Sequence, residues 1–257
     1  MYPIVMDDTL FPSQRKWFIT FGGPSHNYHN AVKRICSEAR DIDVFDHITA
    51  YTDKDLIKDT EFWDKHANFL STNARGYGYW LWKSYLTKKT LEKMNENDIL
   101  LYSDAGSQIN PNGIKRLREY FDIVNRSKYA NLSFKMEHLE KSWTKMDIFD
   151  YYDANQPEIM NTGQLACCLY VLRKCQHTID LIDQWYEGSC QYHLINDSPS
   201  RSPNDTTFNE NRHDQSLFSV LRKKLGTLTT DSDETWFSPN WATTGANYPI
   251  WAKRMRN

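Results

Sequence analysis

The sequence predicts an α/β fold: one domain with a mostly parallel central sheet flanked by helices. Three observations carry this. Short apolar runs of strand length alternate with segments whose apolar residues recur at helical spacing. The first such unit reads strand, helix, strand, which favours parallel strands joined by a right-handed crossover. The chain has 257 residues, near the upper size of one α/β domain, and no stretch of it reads as a linker.

The elements follow in order. Residues 1–15 read as a loose lead-in. WFITFGG (17–23) is an apolar run closed by two glycines, the pattern of a buried strand ending in a turn. After Pro24 and Ser25, Tyr28, Val32, Ile35 and Ala39 fall on one helical face. VFDHITAYT (44–52) is a second strand, 79–94 a helix, and 98–103 a strand set off by Asn97-Asp98. Pro111-Asn112-Gly113 opens a helix over about 114–126, and NLSFKM (131–136) is a strand. SWTKMDIFDYY reads as a helix, QLACCLYVLR (164–173) as the most apolar strand of the second half, and Gln176 to about Tyr186 as a helix. Residues 191–212 are polar and turn-rich, too long for an ordinary connection and so either functional or mobile. HDQSLFSVLRKKLG is an amphipathic helix ended by Gly226, and the core is placed at about 17–225. The tail, 226–257, holds Trp236, Trp241 and Trp251 among Pro, Gly and Thr and is expected to be irregular, wrapping back on the domain.

Charge and composition narrow the function. Charged residues make up 25% of the chain and formal charge is −2, with both signs interleaved. A nucleic-acid partner is therefore not expected, since phosphate neutralisation needs a basic stripe. The short clusters Arg222-Lys223-Lys224 and Lys253-Arg254-Met255-Arg256 read as solvated surface. No apolar run approaches the ~20 residues of a membrane span, and the N-terminus lacks the pattern of a signal peptide. Five cysteines, an odd number without a CxxC pair, fit reduced thiols in a cytoplasmic setting. Cys167 and Cys168 would face opposite sides of their strand as buried thiols. Aromatic residues reach 14%, enough for either a dense core or stacking faces, and composition alone leaves both open.

One carboxylate stands out. DILLYSDAG delivers Asp104 at the end of an apolar strand, and in open parallel sheets ligands gather beyond such ends. Ala105 and Gly106 leave room for a ligand to approach the backbone. Asp-Ala-Gly-Ser is equally good turn chemistry. No GxSxG, HExxH, GxxxxGK[ST] or GxGxxG occurs, so hydrolase, zincin, P-loop and simple dinucleotide-binding readings lack support.

With its surroundings, this segment resembles the nucleotide-sugar glycosyltransferases of the GT-A fold. There an aromatic-rich helix start and a basic residue precede an apolar strand ending in a DxD motif. The matching residues here are Tyr77, Tyr79, Trp80, Trp82 and Lys83, then Asp98 to Leu101, then Asp104-Ala105-Gly106. The form "GYGYWLWK…DILLYSDAG" is similar to glycosyltransferase-like proteins of microbes and viruses, as is the later block His213-Asp214-Gln215-Ser216. WFITFGG resembles that fold's nucleotide-facing first strand, so the likeness covers most of Trp17–Leu225.

The resemblance implies transfer of a sugar from a nucleoside diphosphate sugar, a UDP-sugar first among them, to a saccharide hydroxyl, in the making of a cell-surface or capsid-linked glycan. It implies donor contacts from Thr20, Phe21 and Gly22, from Tyr77 and Lys83, from Asp104, Ala105 and Gly106, and from Gln215. Lys83, spaced to share a helical face with Tyr79 and Trp80, would meet the diphosphate. Asp214 would act on the acceptor hydroxyl or the donor sugar, and Gln164 would lie beneath the anomeric carbon. Glu137 and His138 would line the acceptor side. Mn²⁺ or Mg²⁺ would be held by Asp104 with His213 in place of a second carboxylate, because Gly106 stands where the family often has one. That glycine keeps a second reading open: an inactive, glycosyltransferase-like protein that binds carbohydrate or nucleotide. Residue by residue the bland alternatives also stand, since Asp214 could be a helix-start residue, His213 a cap, and Lys83 a solvated lysine above core aromatics.

Overall fold

The structure, a computed structural model, describes residues 14–256. Of the expected lead-in only Gln14 and Arg15 fall within them; the rest, and the signal-peptide reading, lie outside the described residues. Among the described residues ten strands form: β1 (Lys16–Phe21), β2 (His47–Tyr51), β3 (Ile99–Ser103), β4 (Gln108–Ile109), β5 (Asn131–Ser133), β6 (Lys135–Leu139), β7 (Gly163–Leu165), β8 (Leu169–Arg173), β9 (Leu228–Thr229) and β10 (Ile250–Trp251). Six make the central sheet, in the order β2-β1-β3-β8-β5-β9. β1 runs parallel to β2 and β3, and β5 parallel to β9, while β8 runs antiparallel to both its neighbours. The sheet is mostly parallel, as expected, with one reversed strand in its middle.

Twelve α-helices among the described residues follow the same alternation. The first five are α1 (His26–Asp41), α2 (Asp53–Lys58), α3 (Thr60–Thr72), α4 (Gly76–Tyr79) and α5 (Leu81–Lys93). Then come α6 (Ile114–Arg126), α7 (Glu140–Trp143), α8 (Met146–Tyr151) and α9 (Pro157–Met160). The last are α10 (Gln176–Ser189), α11 (Tyr192–Ile195) and α12 (Asp214–Leu225). Among the described residues no helix is long and apolar enough to cross a membrane.

Period-two alternation sorts the strand residues between two cores. Leu100 and Tyr102 of β3, with Tyr170 and Leu172 of β8, join the core under α5, α10 and α12. Ile99, Leu101, Leu169 and Val171 join the core under α1 and α6. Both faces are covered, which is why the strands read as continuous apolar runs. Much of the aromatic excess lies here: Trp185 stacks on Phe218 at 3.8 Å and Tyr102 on Tyr170 at 4.9 Å, all of them buried.

Several elements depart from the reading of the sequence. The apolar run 164–173 is two strands, β7 and β8, with Ala166, Cys167 and Cys168 in a break between them. The two cysteines therefore do not alternate across one strand. NLSFKM likewise divides between β5 and β6. Residues 191–212 are pinned: Lys145 Nζ donates to His193 O at 2.8 Å, and Asp147 accepts from the amides of Arg201 and Ser202. Arg222 and Lys223 point inward. The Arg222 guanidinium donates to Ser133 Oγ, Leu165 O and Ala166 O, and Lys223 Nζ to Glu140 Oε1. Tyr28 stays 38% exposed, although its spacing put it on the apolar face of α1.

Candidate functional site

Lys83 is set by the chain just ahead of it. Gly76 (φ 58°), Tyr77 (51°), Gly78 (80°), Tyr79 (51°) and Trp80 (60°) form one left-handed turn. For a residue with a Cβ that conformation costs roughly 1–2 kcal/mol. The turn is held by Tyr79 N to Arg75 O at 2.8 Å, Trp80 N to Gly76 O at 3.1 Å, and Trp82 Nε1 to Gly76 O at 3.0 Å. Right-handed helix begins only at Leu81, so Tyr79, Trp80 and Lys83 do not share a helical face as their spacing suggested. The reversal instead sends Lys83 inward, where it is 2% exposed.

The β7–β8 break supplies the next contacts. Cys167 O accepts from Lys83 Nζ at 3.1 Å, and Cys168 O accepts from the Asp104 amide at 2.9 Å. Asp104 thus leaves β3 at a fixed angle. Its Oδ1 accepts from Tyr102 Oη at 2.7 Å and lies 3.2 Å from Lys83 Nζ, while the carboxylate stays 38% exposed to the cleft. Burial and the nearby carboxylate push the Tyr102 phenol up, so it remains a donor.

Asp214, the first residue of α12, faces Lys83 from the other side. Its Oδ2 is 2.8 Å from Lys83 Nζ, yet among the described residues no hydrogen bond of proper angle reaches that buried oxygen. The contact is therefore charge against charge. Burial pulls the Lys83 ammonium down, but Asp104 and Asp214 outweigh it and hold the pKa well above the ordinary value. Lys83 is a fixed cation between two carboxylates.

His213 precedes α12 with φ 55°. Its Nδ1 lies 2.7 Å from Ile195 O, an acceptor, so Nδ1 carries the proton and the ring is neutral, its pKa lowered chiefly by burial. The ring stacks on Trp80 at 5.4 Å, and the unprotonated Nε2 is buried 3.8 Å from Asp197 Oδ1.

These groups line a cleft of about 1540 Å³ beyond the ends of β1 and β3. One wall is Phe21, Gly22 and the left-handed turn with Tyr77 and Trp80; another is Glu137 and His138 of β6. The third is the C-terminal segment with Trp236, Arg254 and Arg256. Sequence reasoning missed that third wall, having placed the basic tail on solvated surface; the run Lys253-Arg254-Met255-Arg256 in a tail that also holds Trp236, Trp241 and Trp251 was the available signal.

The cleft gathers most of the expected residues: Phe21, Gly22, Tyr77, Lys83, Asp104, Ala105, Gly106, His213, Asp214 and Gln215. Gly22 is required by packing, since a Cβ there would run into Tyr28 O. Two residues are placed elsewhere. Thr20 is fully buried, under the cleft end of β1 rather than at it. Gln164 is also fully buried, its amide donating to Trp143 O, Thr144 Oγ1 and Ser216 Oγ and accepting from Gln215 Nε2 at 2.8 Å. With its polar atoms engaged there, Gln164 positions Gln215 rather than facing a substrate.

The metal expectation meets a poor donor set. A divalent cation beside phosphates still needs converging protein oxygens or imidazoles. The one carboxylate of the DxD-like block faces the Lys83 ammonium, and His213 turns its free nitrogen toward Asp197. Among the described residues no three His, Cys, Asp or Glu converge to hold a metal ion. The DxD-like block thus offers Mn²⁺ or Mg²⁺ one carboxylate, that of Asp104, and no three-ligand cluster among the described residues.

No protein-family model matches the chain, and no curated protein matches it in sequence. Among solved structures it is similar to a glycosyltransferase involved in the glycosylation of the major capsid of PBCV-1. That pair is 8% identical, covers 92% of this chain and 91% of that one, and has a TM-score of 0.50. Mouse xyloside xylosyltransferase 1, in its apo form, shares 11% identity over 92% of this chain and 97% of its own, with a TM-score of 0.46. At such identity the first likeness is one of fold: the chain has an α/β architecture, a mostly parallel sheet flanked by helices, similar to that of this glycosyltransferase.

Proposed function

We propose that this protein is a glycosyltransferase that moves a sugar from a nucleoside diphosphate sugar, UDP-sugars first among the candidates, to a saccharide hydroxyl. The observation that carries this reading is the Lys83 ammonium, buried and charged between Asp104 and Asp214 at the floor of the cleft. In glycosyl transfer the bond from the anomeric carbon to the diphosphate oxygen breaks, and negative charge develops on the leaving group. A preorganised cation in a water-poor site stabilises that charge without reorganising. The exposed part of the Asp104 carboxylate is available to donor hydroxyls. Asp214 faces the same point and would take the proton lost by the acceptor hydroxyl, directly or through one water. A cleft of about 1540 Å³ has room for a nucleotide sugar and an acceptor together.

The test is release of nucleoside diphosphate from a panel of nucleotide sugars offered with mixed glycan acceptors. Wild type should turn over at least one donor, and Asp214→Asn should slow that turnover by about 100-fold or more. Glycan binding with no donor consumed across the panel would overturn the proposal in favour of a sugar-binding protein built on the same fold.

A further inference from the structure

The C-terminal strap, residues 230–256, closes the cleft over the DxD-like block. Its backbone lies on Gly106: the Met255 amide donates to Gly106 O at 2.8 Å. A Cβ on Gly106 would stand 3.2 Å from Arg254 Cα and 3.4 Å from Met255 O. A side chain at the position two after Asp104 would press on the strap, whose backbone would have to give by a few tenths of an ångström. β10 pairs with β4, and Ala252 N donates to Thr235 O at 2.8 Å, so the strap is fastened just ahead of this contact.

Where it crosses Gly106 the strap brings two cations. The Arg254 guanidinium sits over Trp236 at 5.2 Å, and that of Arg256 over Tyr28 at 5.7 Å. Both arginines are exposed and line the cleft, and among the described residues neither forms an ion pair. Asp233, an acid on the same strap, spends Oδ1 on the amide and hydroxyl of Thr235. Lys83 already faces two carboxylates, so the full charge of a diphosphate calls for further cations beside it. Arg254 and Arg256 bring two further cations to a lining that also holds Asp231 and Asp233, and a guanidinium pairs with phosphate oxygens through two parallel hydrogen bonds.

We propose that Arg254 and Arg256 are ligands of the donor diphosphate, and that with Lys83 they take the place of a divalent cation. This inference rests on the donor site proposed above. The arginines hold the phosphate oxygens, Lys83 lies beneath them, and Gly106 is the clearance that lets the strap seat. Substitution of either arginine leaves the nucleoside contacts and the fold in place, since both side chains are exposed.

Calorimetric titration of the full chain with UDP and with uridine, each in EDTA and in Mn²⁺, tests this. UDP should bind in EDTA, and Mn²⁺ should tighten it by less than about threefold. Arg254→Ala/Arg256→Ala should weaken UDP by about tenfold or more, leave uridine unchanged, and melt where wild type melts. Arg254→Lys/Arg256→Lys should recover part of the loss. UDP binding that requires Mn²⁺, or a double alanine variant that binds UDP like wild type or loses uridine equally, would overturn the inference while leaving the donor site standing. If no nucleoside diphosphate binds in either buffer, both fall.

Discussion

Lys83 is charged inside the protein because two carboxylates keep it so, and each partner is held there by its own local device. Its folded pKa lies above the unfolded value, so its contribution to stability is complete below the ordinary lysine range and is lost only as pH rises through the higher folded value. No loss is expected between pH 5 and 9 on its account. Lys83→Met leaves Asp104 and Asp214 facing one another without a cation. The variant should lose about 2–4 kcal/mol at pH 7, the lower end allowing for the exposed side of Asp104. That deficit should shrink toward pH 4, as protonation removes the unpaired charge; urea unfolding at the two pH values measures it. A deficit of the same size at both would mean that lost packing, not charge, sets the cost. At this scale the sequence was readable where a residue sits at an element's end, as Asp104 and Asp214 do. It was not readable for Gln164, whose place at a strand start hid an inward-facing amide with four polar neighbours.

Elements were legible where period and burial agree. β1, β3 and β8 are apolar on both faces because helices cover both, and α1 and α6 show their buried stripe at helical spacing. Two breaks were invisible, and both build the site. The run Leu165–Leu172 is apolar throughout, so nothing in its pattern marks the residues that leave the ladder to offer Cys167 O and Cys168 O. Tyr79 and Trp80 stand at helical spacing from Lys83, yet the glycines just ahead of them permit the opposite hand. Gly76→Ala probes that turn. Its φ of 58° is strained for any residue with a Cβ, and the new atom would lie 2.5 Å from the Trp80 ring. Strain and overpacking together should cost about 2–4 kcal/mol. Trp80 must also swing out, so tryptophan emission should shift to the red and donor turnover should fall even where the variant stays folded. Unchanged emission would show that the backbone of the turn, rather than the ring, absorbs the substitution.

The whole molecule works as a sheet that fixes the cleft floor and a C-terminal strap that supplies its far wall. The sequence placed that tail back on the domain, but neither hydrophobic period nor propensity says where an irregular segment crosses. That is decided by a few long-range polar contacts. The strongest is Glu234, 5% exposed, which takes Arg116 Nε at 2.8 Å and Nη2 at 2.6 Å and the Tyr120 hydroxyl at 2.6 Å. Arg116 and Tyr120 belong to α6, so this knot ties the strap to the helix behind the sheet rather than to the cleft. Glu234→Gln keeps the shape and removes the charge that holds all three donors. It should cost about 2–3 kcal/mol, seen as a lower melting temperature. If the knot sets how the strap lies on Gly106, the variant should also weaken UDP binding about fivefold or more with uridine binding unchanged, although Glu234 itself does not line the cleft. Faster hydrogen exchange at the Met255 amide, which bonds Gly106 O, would report the same loosening directly. Lower stability with UDP affinity and Met255 exchange both unchanged would show that β10 pairing alone seats the strap, and that the α6 knot serves the fold without reaching the site.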